Sequence, residues 1–170
     1  LGKPGVVNIQ RVANLAGDIF AKADATVQGL LEKMFAQEIP LALKISFSFE
    51  QTYGPVDGDS ASLAQFLVLL SSIADVPLKQ GIAVTGSLNL HGEVQPIGGV
   101  NQKIEGFFDI CQTKGALSGE QGVVIPWQNK QNLMLRDDVV EAAQGGKFFV
   151  WAIESLEEGI EIFTDMSAEE

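Results

Sequence analysis

The residues best placed for covalent chemistry are a serine and a lysine 43 positions apart. Ser60 lies in GPVDGDSAS (54–62), a glycine-bounded loop with two aspartates that runs straight into the apolar stretch LAQFLVLLSSIA. A serine there sits at the start of a helix, where unpaired N–H groups and the positive dipole end favour negative charge. That charge could be the oxyanion of a tetrahedral intermediate. Serine and aspartate are also good helix caps. From this stretch alone, the cap outweighs the nucleophile.

A nucleophilic serine needs a base. Lys103 follows PIGGVNQ and falls in the first turn of an expected helix. The helix dipole disfavours a cation there. Burial against Val100, Ile104 and Phe107 would disfavour the charge further. A base working near neutral pH needs its pKa brought from ~10.4 to roughly 7–8, equivalent to ~4 kcal/mol in favour of the neutral amine. Thr85 could orient that amine through its hydroxyl. Taken by its neighbourhood alone, Lys103 reads more simply as a surface lysine.

Other chemistries fit less well. His91 is the sole histidine, so a Ser-His-Asp triad would have to include it, and no local motif supports that. The phosphate-binding patterns G-x-x-x-x-G-K-[ST] and G-x-G-x-x-G are absent. One histidine, one cysteine (Cys111) and dispersed carboxylates give no metal-ligand pattern, and DGD at 57–59 reads as a solvated turn. A net charge of -11 with scattered Lys and Arg does not suit nucleic acid. No run approaches the ~18 apolar residues of a membrane span. The chain begins LGKPGVV, without an initiator methionine or a visible signal peptide, and is expected to be a fragment or a processed form.

The elements that must position these residues follow from periodicity. Val27, Leu30, Leu31, Met34 and Phe35 have helical spacing, ended by Pro40. LALKISFSFE (41–50) alternates strictly and predicts a half-buried strand. An apolar helix follows Ser60. Two strands around a turn at Gly92-Glu93 are expected in 81–99, with Ile82, Val84, Leu88 and Leu90 on one face and Thr85, Ser87, Asn89 and His91 on the other. A helix over 101–115, a strand over 122–126, a helix over 136–146 and a strand over 147–153 come next. Ser155 and Glu158 form a capping-box pattern for a last helix. The class is α/β (α+β): one domain with a mixed sheet, a hairpin and flanking helices.

Taken together, these motifs resemble the proteolytic domain of the Lon protease family. DGDSAS is similar to its nucleophile loop. TGSLNLHGEVQPIGGVNQK is similar to its second signature, and the 43-residue interval agrees. VVIPWQNKQNL resembles the following strand and Asn-containing loop. The sequence departs from the bacterial A-type Pro-Ser-Ala-Gly pattern: Asp59 stands for that proline and Ser62 for that glycine. GDSAS is nearer the B-type and Lon-related branch.

The resemblance implies a Ser-Lys dyad. Ser60 would be the nucleophile and Lys103 the general base and acid. Thr85 would hold the lysine amine. Asp59 would lie beside the dyad, where contact with the lysine would oppose the base role. Main-chain N–H groups near Asp59 and Ser60 could form the oxyanion hole. Residues 1–39 would be a lead-in with a helix, within the same domain; 40–163 the proteolytic core; 164–170 a frayed tail. The expected function is serine endopeptidase, the proteolytic module of an ATP-dependent protease acting on unfolded or damaged polypeptides. The alternative is a noncatalytic assembly or substrate-holding module of the same fold. No cofactor is expected in this domain; ATP and Mg would belong to an ATPase region outside it. The resemblance further implies a hexameric ring in the cytoplasm, with no nucleic-acid or membrane role.

Overall fold

The computed structural model describes residues 5–12, 14–36, 44–50 and 52–167. Its elements are β1 (Gly5–Asn8), α1 (Ile9–Val12), α2 (Asp18–Phe35), β2 (Lys44–Phe47), α3 (Ser62–Ala74), β3 (Ile82–Val84), β4 (Ser87–Leu88), β5 (Val94–Gln95), α4 (Val100–Lys114), β6 (Gln121–Pro126), a 3-10 segment (Trp127–Asn132), α5 (Asp137–Gln144), β7 (Phe148–Ile153) and α6 (Leu156–Thr164). Strands β3, β6 and β7 form a parallel ladder in that order. Parallel neighbours need a crossover, and α4 and α5 supply them. A second parallel pair joins β1 to β2, and β4–β5 is an antiparallel hairpin. The expected α/β class, with parallel and antiparallel pairing together, is what the chain adopts.

Two hydrophobic clusters divide the molecule. The first gathers Val27, Leu30 and Leu31 of α2, Leu63, Phe66 and Leu67 of α3, Leu88, and Ile153, Leu156 and Phe163 near the C-terminal end. The second gathers Val100, Ile104 and Phe108 of α4 with Val123, Ile125, Val139 and Phe148. Phe108 and Phe148 meet edge to face at 5.2 Å. Strand β6 feeds both clusters: Val124 faces the first, Val123 and Ile125 the second, as alternation along a strand requires.

Some elements differ from the periodicity reading. Helix α2 begins at Asp18, one full turn and more before residue 25, because its start is capped from outside: Asp57 Oδ1 accepts the Phe20 N–H at 3.0 Å. Gly17 permits this approach, since a Cβ there would fall 2.3 Å from Asp57 Cγ. At the other end, Met34 and Phe35 are exposed and lie outside the core. Strand β2 covers Lys44–Phe47; the rest of the predicted alternation at 41–43, and Pro40, lie outside the described residues. The strand expected to run from Ile82 to His91 is broken at Thr85-Gly86, so β3 and β4 join different ladders. Leu90, assigned to an apolar face, is 52% exposed in the hairpin turn.

The last helix is capped as expected by Ser155, whose Oγ accepts the Glu158 N–H at 3.4 Å. Glu158 returns its carboxylate one residue further back, to the Glu154 N–H. No helix among the described residues is long and apolar enough to cross a membrane.

Candidate active site

The break after β3 is where the serine loop attaches. Gly86 N–H donates to the Ser60 carbonyl at 2.9 Å, and Leu63 N–H donates to the Gly86 carbonyl at 3.2 Å. Both polar groups of Gly86 are thereby withdrawn from any ladder. Glycine leaves room for this approach: a Cβ on Gly86 would lie 2.9 Å from Leu63 Cδ2 and 3.1 Å from Val94 Cγ1, so those side chains would have to shift. Ser62 adds a third tie. Its buried hydroxyl donates to the Asp59 carbonyl at 2.9 Å and accepts the Leu88 N–H at 2.8 Å. Ser87 adds a fourth, donating from Oγ to Asp59 Oδ2 at 2.9 Å.

These ties set Ser60 in the turn ahead of α3. The helix starts at Ser62 and its capping position is Ala61, with no side-chain cap. The N-cap reading of Ser60 is therefore overturned: its hydroxyl meets a lysine instead. Lys103 Nζ lies 2.9 Å from Ser60 Oγ and 3.3 Å from Thr85 Oγ1. Thr85, only 6% exposed, in turn donates to the Ser60 carbonyl at 3.3 Å. The threonine hydroxyl thus touches both the amine and the backbone of the serine. Thr85 itself is fixed by its N–H, which donates to the Val124 carbonyl at 3.0 Å.

Lys103 comes from the opposite cluster. It occupies the first turn of α4, where its N–H donates to the Gly99 carbonyl at 3.1 Å and no acidic residue offsets the dipole. The neighbouring Val100 and Ile104 are buried in the second core. Partial burial lowers the Lys103 pKa below the ordinary lysine value, and the Asp59 charge, the lesser of the two influences, acts in the other direction. Among the described residues, no ion pair joins Asp59 to Lys103.

The approach to α4 is held by a residue that periodicity did not single out. Asn129, 5% exposed, accepts the Ile97 N–H on Oδ1 and donates from Nδ2 to the Ile97 carbonyl, both at 2.9 Å. It replaces a strand partner for the PIGG turn. Asn101 continues the docking, donating to the Asn132 carbonyl and accepting the Met134 N–H, each at 2.9 Å. Arg136 closes the outer side against Asp109 and Asp138, which holds both carboxyls below the usual aspartate range.

Asp57 is solvent-exposed, as the turn reading expects, yet it has a structural role. It bonds the Phe20 and Gly58 N–H groups, and these hold its carboxyl below the ordinary value. It lies three residues before Ser60 and anchors the loop to α2. The remaining candidate, His91, is exposed in the β4–β5 turn, with Nδ1 3.5 Å from Lys33 Nζ, and makes no hydrogen bond to Ser60. The structure therefore brings Ser60, Lys103 and Thr85 together, places Asp59 beside them on Ser87, and leaves His91 out.

Comparison with known proteins identifies the family of the chain. Residues 20–162 match the family described as the Lon protease (S16) C-terminal proteolytic domain. That match takes in α2, which precedes the signatures named above. A putative Lon protease homolog of Escherichia coli is 43% identical over 98% of this chain, and one of Haemophilus influenzae 46% identical over 95%. The archaeal Lon protease of Thermococcus kodakarensis is 31% identical over 89%. The chain spans about a quarter of the length of these relatives: 28%, 27% and 22%. The chain belongs to the Lon protease C-terminal proteolytic domain family, a family of protease domains.

Proposed function

We propose that this domain is a serine endopeptidase using Ser60 and Lys103 as a catalytic dyad. The observation that carries the reading is the 2.9 Å contact between Lys103 Nζ and Ser60 Oγ, with Thr85 bridging. The neutral amine takes the Ser60 hydroxyl proton as Oγ bonds to the peptide carbonyl carbon. The carbonyl electrons move to oxygen. The main-chain N–H of Ser60, which has no acceptor among the described residues, supports an oxyanion role for the start of this turn. The Lys103 ammonium then returns its proton to the leaving amine as the C–N bond breaks. An ester remains on Ser60. Water attacks it, gives its proton to Lys103, and the new carboxyl terminus departs as Ser60 recovers its hydrogen.

In the full-length protein the reading extends to ATP-dependent degradation of unfolded or damaged polypeptides. The ATPase region, with its ATP and Mg, would lie outside this chain, and the assembly would be a hexameric ring in the cytoplasm. The test is degradation of an unfolded substrate by the full-length protein with ATP, comparing wild type with Ser60→Ala and Lys103→Ala. Wild type is expected to degrade it and both variants to fail. Undiminished proteolysis in Ser60→Ala overturns the dyad and requires a different nucleophile, whereas a wild type that degrades nothing favours the noncatalytic alternative.

A further inference from the structure

Asp59 stands next to the nucleophile, and its charge is the one that raises the proton affinity of Lys103. A carboxylate whose charge reaches an ammonium can pair with it where the two side chains meet. Here it does not. Asp59 Oδ2 accepts a 2.9 Å hydrogen bond from Ser87 Oγ, while Lys103 is bonded to Ser60 and Thr85. Ser87 is only 3% exposed and sits in β4, paired to Gln95. Its hydroxyl is thus held by the hairpin, and the carboxylate is held by the hydroxyl.

We propose that Ser87 is a positioning residue that keeps the Asp59 carboxylate off the Lys103 amine, leaving the amine to Ser60. This rests on the dyad reading above. The surroundings offer few competing charges. Strand β6, packed on α4, has no ionisable side chain, and the 3-10 segment carries Lys130, whose amine lies 4.4 Å over the Trp127 ring. On α4 itself, Glu105 accepts the Arg136 N–H, and Asp109 pairs with Arg136. Two residues before Asp59, Asp57 is committed to Phe20 and Gly58.

A freed Asp59 that pairs with Lys103 favours the ammonium, so the rise of kcat/KM with pH moves to higher pH. In the full-length protein with ATP, Ser87→Ala is expected to move that limb up by about one pH unit and to lower kcat/KM at pH 7 about tenfold. Asp59→Asn in the same chain is expected to bring the activity back, a rescue that simple loss of packing does not give. Asp59→Asn alone changes no buried position and should move the limb to lower pH. A wild-type limb in either single variant overturns the assignment, as does a Ser87→Ala loss that Asp59→Asn leaves uncorrected. Inactive Ser60→Ala and Lys103→Ala alongside an unmoved limb in Ser87→Ala would remove the Ser87 role and keep the dyad; full activity in those two variants would remove both.

Discussion

The two halves of the site are built differently. Lys103 rides on a helix whose buried face, Val100, Ile104 and Phe108, is part of a continuous core. Ser60 rides on a turn outside any regular element, and that turn is held by hydrogen bonds to residues 85–88 and by Asp57 of the same loop, which accepts the Phe20 N–H of α2. The lysine side is fixed by shape and the serine side by polar pairing. Thr85, at the end of β3, is the joint, bonding to both. Apolar packing is non-directional, whereas hydrogen bonds set angles as well as distances. A nucleophile must be aimed; a base on a long side chain needs mainly to be brought near and partly dried.

This contrast can be broken from either side. The largest effects on stability come from the cores. Phe66→Ala and Phe108→Ala each empty a fully buried ring position and are expected to cost about 3–5 kcal/mol in urea unfolding. If the lysine side is held by shape, Phe108→Ala lowers activity well before the chain unfolds. Next comes Asn129→Ala, which strips the Ile97 N–H and carbonyl of their partner. It should cost about 1–3 kcal/mol and lower kcat more than KM rises, since α4 loses its registration. Thr85→Val removes the joint's hydroxyl at nearly constant volume. Roughly a tenfold fall in kcat/KM with little change in unfolding is expected. The smallest effect is a gain. The folded state lowers the Lys103 pKa, so the ammonium destabilises the fold at neutral pH. That cost fades as pH rises through the folded value and is gone above the unfolded value near 10.5. Lys103→Met should abolish proteolysis and raise Tm at pH 7 by no more than about 2 °C, since solvent screens the site. The gain should vanish at pH above ~10.5.

Legibility in the sequence followed the same division. The second-core elements α4, β6, α5 and β7 were readable to within a residue or two, because their burial is written as local periodicity. Ser60 and Lys103 are readable only because their two glycine-marked motifs together resemble the signatures of one family; either neighbourhood alone reads as a helix cap or a surface lysine. The ties that aim Ser60 are not readable. Gly86, Ser62, Ser87 and Asn129 act on residues 23 to 32 positions away, or fewer where the turn doubles back, and periodicity carries no such information. The early start of α2 was hidden for the same reason, since its cap, Asp57, comes 37 residues after Phe20. The alternation through Thr85-Gly86 is unbroken in the sequence and so predicts one continuous strand. Only the demand of the serine loop on both polar groups of Gly86 interrupts it.

A covalent probe tests whether Lys103 activates Ser60. A peptidyl phosphonate ester reacts with an activated serine to leave a stable adduct, which intact-mass and peptide-mass measurements locate. In the full-length protein with ATP, the adduct is expected on Ser60, forming at a rate that rises with pH through one ionisation below the ordinary lysine value of ~10.4. In Lys103→Ala that rate should fall by about a hundredfold or more. An adduct on another residue, or the same rate and pH dependence without Lys103, would contradict the account.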